Sequence, residues 1–336
     1  MAVTLSDVAQ AAGVHPGTAS RALNPATRSR VSPATARRVL AAASRLGYLP
    51  NSLARGLRTR RSYTVGIMIP DLTNPLFPPI VRGVDEVLGP AGYSGLVANT
   101  DNDQTREELL FAALRSRQAD GFIVATAHRE HALLDRMAEA EVPMVLVNRT
   151  TENRAIPAVV PDEAAGIRTV VRRLAALGHR RIAHLAGPQI LSTGHGRYRA
   201  YLDAMAGQRL EPGPVAFADG FTEAAGRAAG GELLAARPRP TAVVAGNDLL
   251  AIGLLDLLQE AGLDCPGDVS VVGFNDHPML ARMATPLTTV RIPQREIGAE
   301  AARLLLDLLT EPGPAKMLLL PTQLIERAST APPPAR

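Results

Sequence analysis

Apolar residues in the first 50 positions recur at the spacing of one helical face. Apolar side chains at positions 5, 8, 9 and 12 predict a first helix over residues 5–12, and Gly13 suits its end. A second helix is predicted over residues 16–23. A third follows over residues 34–46, with Ser32 as its cap. Two helices joined by a glycine-containing turn and packed against a third predict a helix-turn-helix.

The rest of the chain alternates Val- and Ile-rich apolar runs with helical segments. Strands are predicted at residues 63–69, 95–98, 121–125, 143–147, 181–186, 242–245, 269–274 and 287–292. Helices are predicted at residues 78–88, 106–115, 163–177, 197–205, 223–236, 249–261 and 295–309. This pattern is typical of parallel sheets covered on both faces. Two such series, divided near residue 161, predict two doubly wound subdomains that bind a ligand beyond the carboxyl ends of their strands.

Positive charge is concentrated at the start of the chain. Residues 1–61 hold ten arginines and one acidic residue, Asp7, a net charge of +9, whereas the whole chain of 336 residues has +4. A basic head on an acidic body indicates a polyanion that the head alone contacts. A membrane surface is the alternative, but the apolar positions of the head are mostly Ala and Val. They lack the Trp, Phe and Leu face of an interfacial helix, which favours nucleic acid.

Length and composition narrow the class of protein. A chain of 336 residues predicts two or three compact units. No apolar run approaches the ~18 to 20 residues that cross a bilayer, and the first residues do not resemble a secretory signal. A single cysteine, Cys265, excludes an intrachain disulfide. We therefore expect a cytoplasmic protein.

Ordered sequence motifs run through both parts of the chain. In the head they are Val3-Thr-Leu-Ser-Asp-Val-Ala-Gln-Ala-Ala-Gly-Val14, Thr18-Ala-Ser-Arg-Ala-Leu-Asn24, Gly47-Tyr-Leu-Pro-Asn51 and Ala54-Arg-Gly-Leu57. In the body they are Val65-Gly-Ile-Met-Ile-Pro-Asp71, Asn74-Pro-Leu-Phe77, Leu177-Gly-His179, Ala245-Gly-Asn-Asp248, Val271-Val-Gly-Phe-Asn-Asp276 and Pro286-Leu-Thr-Thr289. With these motifs the chain resembles the LacI/GalR (lactose-repressor and galactose-repressor) family. The resemblance implies an all-α helix-turn-helix head with a hinge helix. An α/β periplasmic-binding-protein-like core of two doubly wound parallel-sheet subdomains would follow it.

The resemblance implies that the second helix lies in the major groove of DNA. His15, Pro16, Gly17 and Arg21 would then face the base edges. Arg21 suits the O6 and N7 acceptors of guanine, and a phosphate contact is its alternative role. Pro16 and Gly17 offer little hydrogen bonding, which leaves Arg21 and the neighbouring His15 to read the sequence. Lining the turn is the alternative role of His15.

Five short polar side chains of the head match positions that contact phosphates in the family. They are Thr4, Thr18, Ser20, Asn24 and Ser32. Such contacts fix the register of a protein on DNA without reading the base sequence. Helix capping is the alternative role, and the two roles are compatible.

Residues 50–61 are implied to form a hinge helix and linker that pairs with its dimer mate over the minor groove. Ala54 and Arg55 belong to this hinge. Leu57 would insert between central base pairs as an apolar wedge that opens the step. Taken alone, Leu57 fits a linker residue that packs on the body, and the surrounding motif favours the wedge.

The family resemblance also implies an effector site made of two aromatic walls, four polar side chains and one small lining residue. They are Phe77 and Phe221, then Asn148, Arg197, Asn247 and Asn275, and Ala125. Arg197 offers a planar fork for ring hydroxyls or a carboxylate. Asn247 and Asn275 follow strands, where asparagine is also an ordinary turn residue. Relatives usually carry aspartate at the position of Asn275, so an anionic ligand is less excluded than usual.

Motifs for enzymatic chemistry are not found in the sequence. It has no Gly-x-Gly-x-x-Gly turn, no phosphate-binding Gly-Lys-Ser/Thr loop and no Cys/His metal spacing. His128 and His131 are interpreted as a solvated helix start, and His179 and His184 as structural residues. We predict no catalytic residue, no cofactor and no metal, and a protein that is not an enzyme.

The predicted organisation has four parts. They are a DNA-binding head at 1–49, the hinge and linker at 50–61, a ligand-binding and dimerisation domain at 62–330, and a disordered tail at 331–336. Within the third part, an N-subdomain takes residues 62–161 and 292–320, and a C-subdomain takes residues 162–291 and 321–330.

The predicted function is ligand-responsive regulation of transcription, with repression of carbohydrate or related genes expected. A homodimer would bind an inverted repeat of double-stranded DNA, with half-sites about one helical turn apart. A sugar or sugar derivative would bind between the subdomains, and the protein would associate with the nucleoid when bound to DNA. The C-terminus has no leucine heptads for a tetramer. A sugar-binding protein without gene control and an architectural DNA-binding protein are the alternatives.

Overall fold

The structure, a computed structural model, describes residues 3–23, 27–48, 61–311 and 313–334. The chain divides into two compact units, Met1–Ser62 and Tyr63–Arg336, which we call the head and the body. Across the described residues, no helix is both long and apolar enough to span a membrane.

The described part of the head is helical. It contains α1 (Leu5–Ala11), α2 (Pro16–Leu23), a 3₁₀ helix (Arg28–Arg30) and α3 (Pro33–Leu46). The helices enclose a core of small side chains, which are Val8, Ala9, Ala12, Ala19, Ala22, Ala36, Val39, Ala42 and Ala43. Because alanine and valine are short, the helix backbones lie close together and the core is small. The predicted three-helix pattern is confirmed.

Local hydrogen bonds set where the helices of the head begin and end. Thr4 caps α1, since its Oγ1 accepts from the N–H of Asp7 at 3.3 Å while Asp7 Oδ2 accepts from the N–H of Thr4 at 2.8 Å. The hydroxyl oxygen of Ser32 accepts from the N–H of Thr35 at 3.3 Å at the start of α3. Gly13, with φ of +61°, supplies the left-handed residue of the turn between α1 and α2.

The body is built from strands that alternate with helices. Its strands are β1 (Thr64–Ile69), β2 (Ser94–Asn99), β3 (Gly121–Val124), β4 (Met144–Val147), β5 (Ala158–Pro161), β6 (Ile182–Ala186), β7 (Val215–Phe217), β8 (Ala242–Ala245), β9 (Ser270–Asn275), β10 (Thr288–Arg291), β11 (Met317–Leu320) and β12 (Gln323–Ile325). Its α-helices are α4 (Phe77–Leu88), α5 (Gln104–Ser116), α6 (Ala132–Glu139), α7 (Glu163–Ala176), α8 (Ser192–Gly207), α9 (Glu223–Ala235), α10 (Asp248–Glu260) and α11 (Gln294–Thr310). A 3₁₀ helix spans Pro278–Arg282.

The strands form two six-stranded sheets. The first has the order β11-β5-β4-β3-β1-β2 and is parallel throughout. The second has the order β12-β10-β9-β8-β6-β7, and only its edge strand β12 is antiparallel to its neighbour. The predicted pair of doubly wound parallel-sheet subdomains is confirmed.

Alternate residues of each strand face opposite helical layers. In β4, Val145 and Val147 lie in one core with α4 and α11, whereas Met144 and Leu146 lie in another with α5 and α6. The second sheet is covered in the same way, by α7 and α8 on one face and by α9 and α10 on the other. Helices shield both faces of each sheet from water, which explains the continuous apolar runs of the strands.

Helices α4 and α11 touch through glycine. A Cβ atom on Gly83 would lie 1.9 Å from the carbonyl oxygen of Arg295, and one on Gly298 would lie 1.9 Å from the carbonyl oxygen of Ile80. Two backbones can approach this closely only where no side chain separates them. The pair of glycines therefore fixes how these helices pack on the first sheet.

Five elements of the body are absent from the sequence-based pattern. The missed strands are β5, β7, β11 and β12, and the missed helix is α6. The strands have only three or four residues each, and three of them, β7, β11 and β12, lie at sheet edges. Helix α8 begins at Ser192, five residues before the predicted start, because a segment with two glycines carries a weak helical signal.

The prediction of a disordered tail is wrong at Ala331. The N–H of Ala331 donates to the hydroxyl oxygen of Ser270 at 3.1 Å, and its carbonyl oxygen lies 2.8 Å from Nε2 of His179. Ser329 before it is fully buried and donates to the carbonyl oxygen of Val271 at 2.6 Å. These hydrogen bonds tie the end of the chain to β9 of the second sheet and to His179. The last two residues of the tail lie outside the described residues.

We expect Gly83→Ala to lower the free energy of unfolding by about 1–3 kcal/mol, because the added methyl group collides with the backbone of α11. Urea unfolding of the full chain measures the change. Gly231→Ala is the matched control, since no heavy atom lies within 4 Å of that Cβ position in α9. It should stabilise by about 1 kcal/mol through helix propensity. Equal effects of the two substitutions would contradict the close contact.

Candidate functional site

Helix α2 has one buried face and one solvent-facing face. Ala19 and Ala22 are fully buried in the head core. Arg21 is exposed, and Gly17 lies one turn before it on the same face, so that Nε of Arg21 donates to the carbonyl oxygen of Gly17 at 3.1 Å. Pro16 is also exposed. The face that carries Pro16, Gly17, Ser20 and Arg21 is therefore available to a partner of the head.

The remaining predicted DNA-contact residues have local structural roles. Nδ1 of His15 accepts from the N–H of Gly17 at 3.1 Å, a contact that belongs to the alternative role of His15 in the turn. Thr4 and Ser32 are helix caps, and Thr18 is half-buried in α2. Four predicted residues lie outside the described residues, and they are Asn24, Ala54, Arg55 and Leu57.

The body contains a narrow cavity at the carboxyl ends of both sheets. Its lining follows the ends of β1 and β4 in the first sheet and of β6, β7, β8 and β9 in the second. The lining residues are Asn74, Leu76, Phe77, Asn148, Arg149, Thr193, Arg197, Phe221, Asn247 and Asn275. Its volume is about 10 Å³, far below the ~300–1,000 Å³ typical of small-molecule pockets, so the cleft is nearly closed in this structure. We call this cavity the cleft.

Six of the seven predicted effector residues line the cleft. They are Phe77, Asn148, Arg197, Phe221, Asn247 and Asn275. Ala125 is not brought there: it is buried at the end of β3, where its N–H donates to the carbonyl oxygen of Met68 at 2.9 Å. Four lining residues were not predicted as effector contacts, and they are Asn74, Leu76, Arg149 and Thr193. Arg149 had a visible signal, an arginine that directly follows the asparagine at the end of an apolar strand.

Three of the four asparagines that line the cleft differ in their hydrogen bonding. Oδ1 of Asn247 accepts from the N–H of Leu250 at 2.9 Å and caps α10, which is the ordinary turn role. Asn148 and Asn275 have φ values of +63° and +124°, and their Oδ1 atoms are buried without a hydrogen-bond partner. Such backbone conformations cost about 1–3 kcal/mol each and cluster at ligand sites. These two amides therefore keep hydrogen-bonding capacity directed at the cleft.

Arg197 is held in place by its surroundings. Its guanidinium donates to Oε1 of Glu163, at 2.8 Å from Nε and 2.6 Å from Nη2, and its Nη1 donates to the carbonyl oxygen of Gly246 at 2.5 Å. It lies 4.0 Å from the ring centroid of Phe274. Burial raises the pKa of Glu163 to about 7, against the opposing charge of Arg197. The Arg197 guanidinium was expected to bind a ligand, but its Nε, Nη1 and Nη2 atoms already donate hydrogen bonds within the protein.

The histidines of the body are mostly buried rather than solvated. His131 is 4% exposed, and its Nε2 lies 3.4 Å from Oε2 of the buried Glu107, so the interpretation of a solvated helix start is wrong for this residue. His184 lies within β6, with Nδ1 2.8 Å from the carbonyl oxygen of Val244. Its ring stacks on Tyr201 at a centroid distance of 4.9 Å. The described residues contain no group of three or more potential metal ligands.

Comparison with known proteins identifies both parts of the chain. Residues 4–51 match the model of bacterial regulatory proteins of the lacI family, and residues 171–330 match a periplasmic binding protein-like domain. The chain is 36% identical to the HTH-type transcriptional regulator CelR of Thermobifida fusca, over 97% of this chain and 98% of that protein. The chain belongs to the lacI family.

Solved structures agree with this assignment. The lacI-family fold of this chain matches a lac repressor dimer bound to operator and the anti-inducer ONPF, with a TM-score of 0.85, 27% identity and coverage of 98% of this chain and 100% of that one. It also matches a CelR–cellobiose complex, with a TM-score of 0.73, 34% identity and coverage of 97% and 99%. The predicted family and fold class are confirmed, and the relatives are transcriptional regulators rather than enzymes.

We expect the stability of this lacI-family protein to depend on His184 at acid pH. Burial lowers the pKa of His184 to about 4, whereas an unfolded chain has a pKa near ~6.5. The unfolded state therefore binds more protons between these values, and stability is lost as the pH falls through this window. His184→Phe should reduce the loss by about 1 kcal/mol per pH unit, measured by urea unfolding across the pH range.

The matched control is His15→Phe, which changes an exposed histidine of the head. It should leave the pH slope of body unfolding unchanged. Loss of the contact between His184 and Val244 adds only a constant offset to the first variant. Parallel slopes for the wild type and His184→Phe would contradict the assignment of a neutral, buried imidazole.

Proposed function

We propose that this chain is a homodimeric transcriptional repressor that binds an inverted-repeat operator through the head and a small effector through the cleft. The observation that carries the proposal is that α2 has one buried face and one exposed face. Its alanines fill the head core, while Arg21 and its neighbours remain exposed on the opposite face. A helix-turn-helix of the lacI family with a free, basic face on its second helix is suited to the major groove of DNA.

Arg21 is the proposed base-reading residue. Among the described residues, its guanidinium donates one hydrogen bond, to the carbonyl oxygen of Gly17, so it can turn outward at low cost. Gly17 leaves the space beside Arg21 open, because a Cβ there would lie 3.8 Å from Nη2 of Arg21. Thr4, Ser20 and other short polar groups of the head are proposed to contact phosphates, as helix starts commonly do.

The cleft is the proposed effector site. Its lining comes from both sheets, so a bound molecule would contact both at once. An effector shifts the equilibrium between two arrangements only when it binds them unequally. A ligand that contacts both sheets meets this condition, because its contacts depend on how far apart the sheets stand. Sugars and sugar derivatives are the proposed class, given the cellobiose in the CelR complex.

The edge strand β2 supports a homodimer. Its side chains Leu96 and Val97 face opposite sides of the strand and are 39% and 44% exposed. Leu72, 57% exposed, is tied to the same strand by a hydrogen bond from its N–H to Oδ1 of Asn99 at 3.0 Å. Apolar edge strands are normally covered, since exposed ones aggregate. We infer that a second copy of this chain covers β2, as the lac repressor dimer suggests.

We expect the full chain to prefer an inverted repeat over scrambled DNA in a gel-shift competition at moderate salt. Arg21→Ala should then cost about 1–3 kcal/mol at one base pair of each half-site. Binding to a library with one randomised position at a time measures this loss. A uniform loss at all positions would make Arg21 a phosphate contact. No preference of the wild type for any inverted repeat would overturn the proposal and favour an architectural protein.

We expect Leu96→Glu to weaken the dimer about tenfold or more, because a carboxylate would be buried in the proposed interface. Sedimentation equilibrium measures the monomer–dimer constant. Leu109→Glu is the control, because this leucine is 68% exposed and belongs to α5 rather than to β2. Equal effects of the two substitutions, or no effect of either, would contradict the proposed dimer face.

A further inference from the structure

The cleft contains a buried arginine that forms no ion pair with any of the described residues. Arg149 is 5% exposed, and its Nε and Nη1 atoms are buried without a hydrogen-bond partner. Among the described residues, its guanidinium takes part in no ion pair. Burying an unpaired charge is costly, so proteins normally pair such a group or use it to hold a ligand.

The acidic residues near the cleft interact with groups other than Arg149. Glu163 pairs with Arg197. Glu107 accepts a hydrogen bond from Thr126 and faces His131, so it attracts Arg149 only from a distance. The described residues that line the cleft include no carboxylate, and Asn275 contributes a neutral amide. The electrostatic environment of the cleft is therefore positive.

The charge of Arg149 persists under physiological conditions. Burial, reinforced by the nearby charge of Arg197, lowers the pKa of Arg149 to about 10. The guanidinium is thus cationic at neutral pH. Its position next to a second guanidinium makes the site more favourable for an anion than either arginine alone.

The other polar groups of the cleft that lack hydrogen-bond partners are suited to hydroxyl groups of a ligand. The Thr193 hydroxyl and the Oδ1 atoms of Asn148 and Asn275 are buried without partners. A hydroxyl of a ligand can donate to each amide oxygen and accept from Thr193. Arg149, in contrast, only donates, and a carboxylate or phosphate matches its planar fork with two parallel hydrogen bonds.

We propose that the effector is a small polyhydroxylated anion whose carboxylate or phosphate monoester binds the Arg149 guanidinium while its hydroxyls contact Asn148, Thr193 and Asn275. This inference rests on the proposed function of the cleft and specifies the class of its ligand. Sugar acids and sugar phosphates share this chemistry.

Matched pairs of acids and neutral sugars test the inference on the full-length protein. The pairs are D-galacturonate with D-galactose, D-glucuronate with D-glucose, D-glucose 6-phosphate with D-glucose, and D-ribose 5-phosphate with D-ribose. Thermal shift and calorimetry measure binding of each compound, and inorganic phosphate alone serves as a further probe. We expect at least one acid to bind about tenfold or more tightly than its neutral partner.

The panel also separates the sources of the anionic group. Binding of uronates alone assigns a carboxylate, and binding of sugar phosphates alone assigns a phosphate. Binding of inorganic phosphate as tightly as any sugar phosphate would overturn the role of the hydroxyl-binding groups. A neutral sugar that binds as tightly as its acid, or an absence of binding by every acid, overturns the inference as a whole.

Variants of the cleft sharpen the test. Arg149→Gln should reduce affinity for the acid about tenfold or more, and Arg149→Lys should retain part of it. Asn275→Asp should weaken the acid and not its neutral partner, because it adds a negative charge beside the site. Arg117→Gln, which changes an exposed arginine of the body, should bind the acid as the wild type does.

The melting temperature of the ligand-free Arg149→Gln variant distinguishes a binding role from a structural one. Removing an unpaired buried charge should leave the melting temperature unchanged or raise it. A large fall would mean that Arg149 holds the fold together, and it would overturn the inference.

Gel shifts on the same preparations keep the two proposals distinct. Preference for an inverted repeat together with tight binding of a neutral sugar would refute only the anionic effector. Loss of any DNA preference would refute the proposed function itself.

Discussion

The buried ion pair between Arg197 and Glu163 fixes a side chain that lines the cleft. Arg197 reaches from α8 to Glu163 at the start of α7 and to the carbonyl oxygen of Gly246 after β8, while its guanidinium lies over the ring of Phe274. Removing one partner of such a pair costs about 3–5 kcal/mol, because the other charge stays buried. Since Glu163 follows β5, the pair also ties the second sheet to the point where the chain leaves the first.

The chain passes between the two sheets three times, after β5, after β10 and after β11. Two of these crossings are bonded side by side, because Asp162 N–H donates to the carbonyl oxygen of Leu320 at 2.8 Å and Thr322 donates to the carbonyl oxygen of Asp162 at 3.1 Å. On the third, the amide of Gln294 donates to the carbonyl oxygen of Asn275 in the cleft at 2.9 Å. The crossings, where a hinge between the two sheets would lie, are thus held by hydrogen bonds close to the cleft.

Long buried elements were predictable because their own residues encode them. The continuous apolar runs of β1, β4 and β8 gave the right strands within one residue at each end, whereas β5, β11 and β12 depend on partners far away in the sequence. In the cleft, family resemblance supplied Asn148 and Arg197 by position. Arg149 was missed because an arginine is normally solvated, and only the fold reveals that this one is buried without a partner. The strained φ values of Asn148 and Asn275 were equally invisible in the sequence.

The small core of the head explains why its caps matter. A unit this short buries little apolar surface, and here that surface is mostly alanine and valine. Local hydrogen bonds must therefore carry more of its stability. Asp7, the one acidic residue among ten arginines, is used for such a bond, and the Thr4 N–H and hydroxyl lower the pKa of its carboxyl group. The one acidic side chain of this strongly basic unit thus caps a helix and stabilises the head. The exposed face of α2 therefore carries no acidic residue of its own.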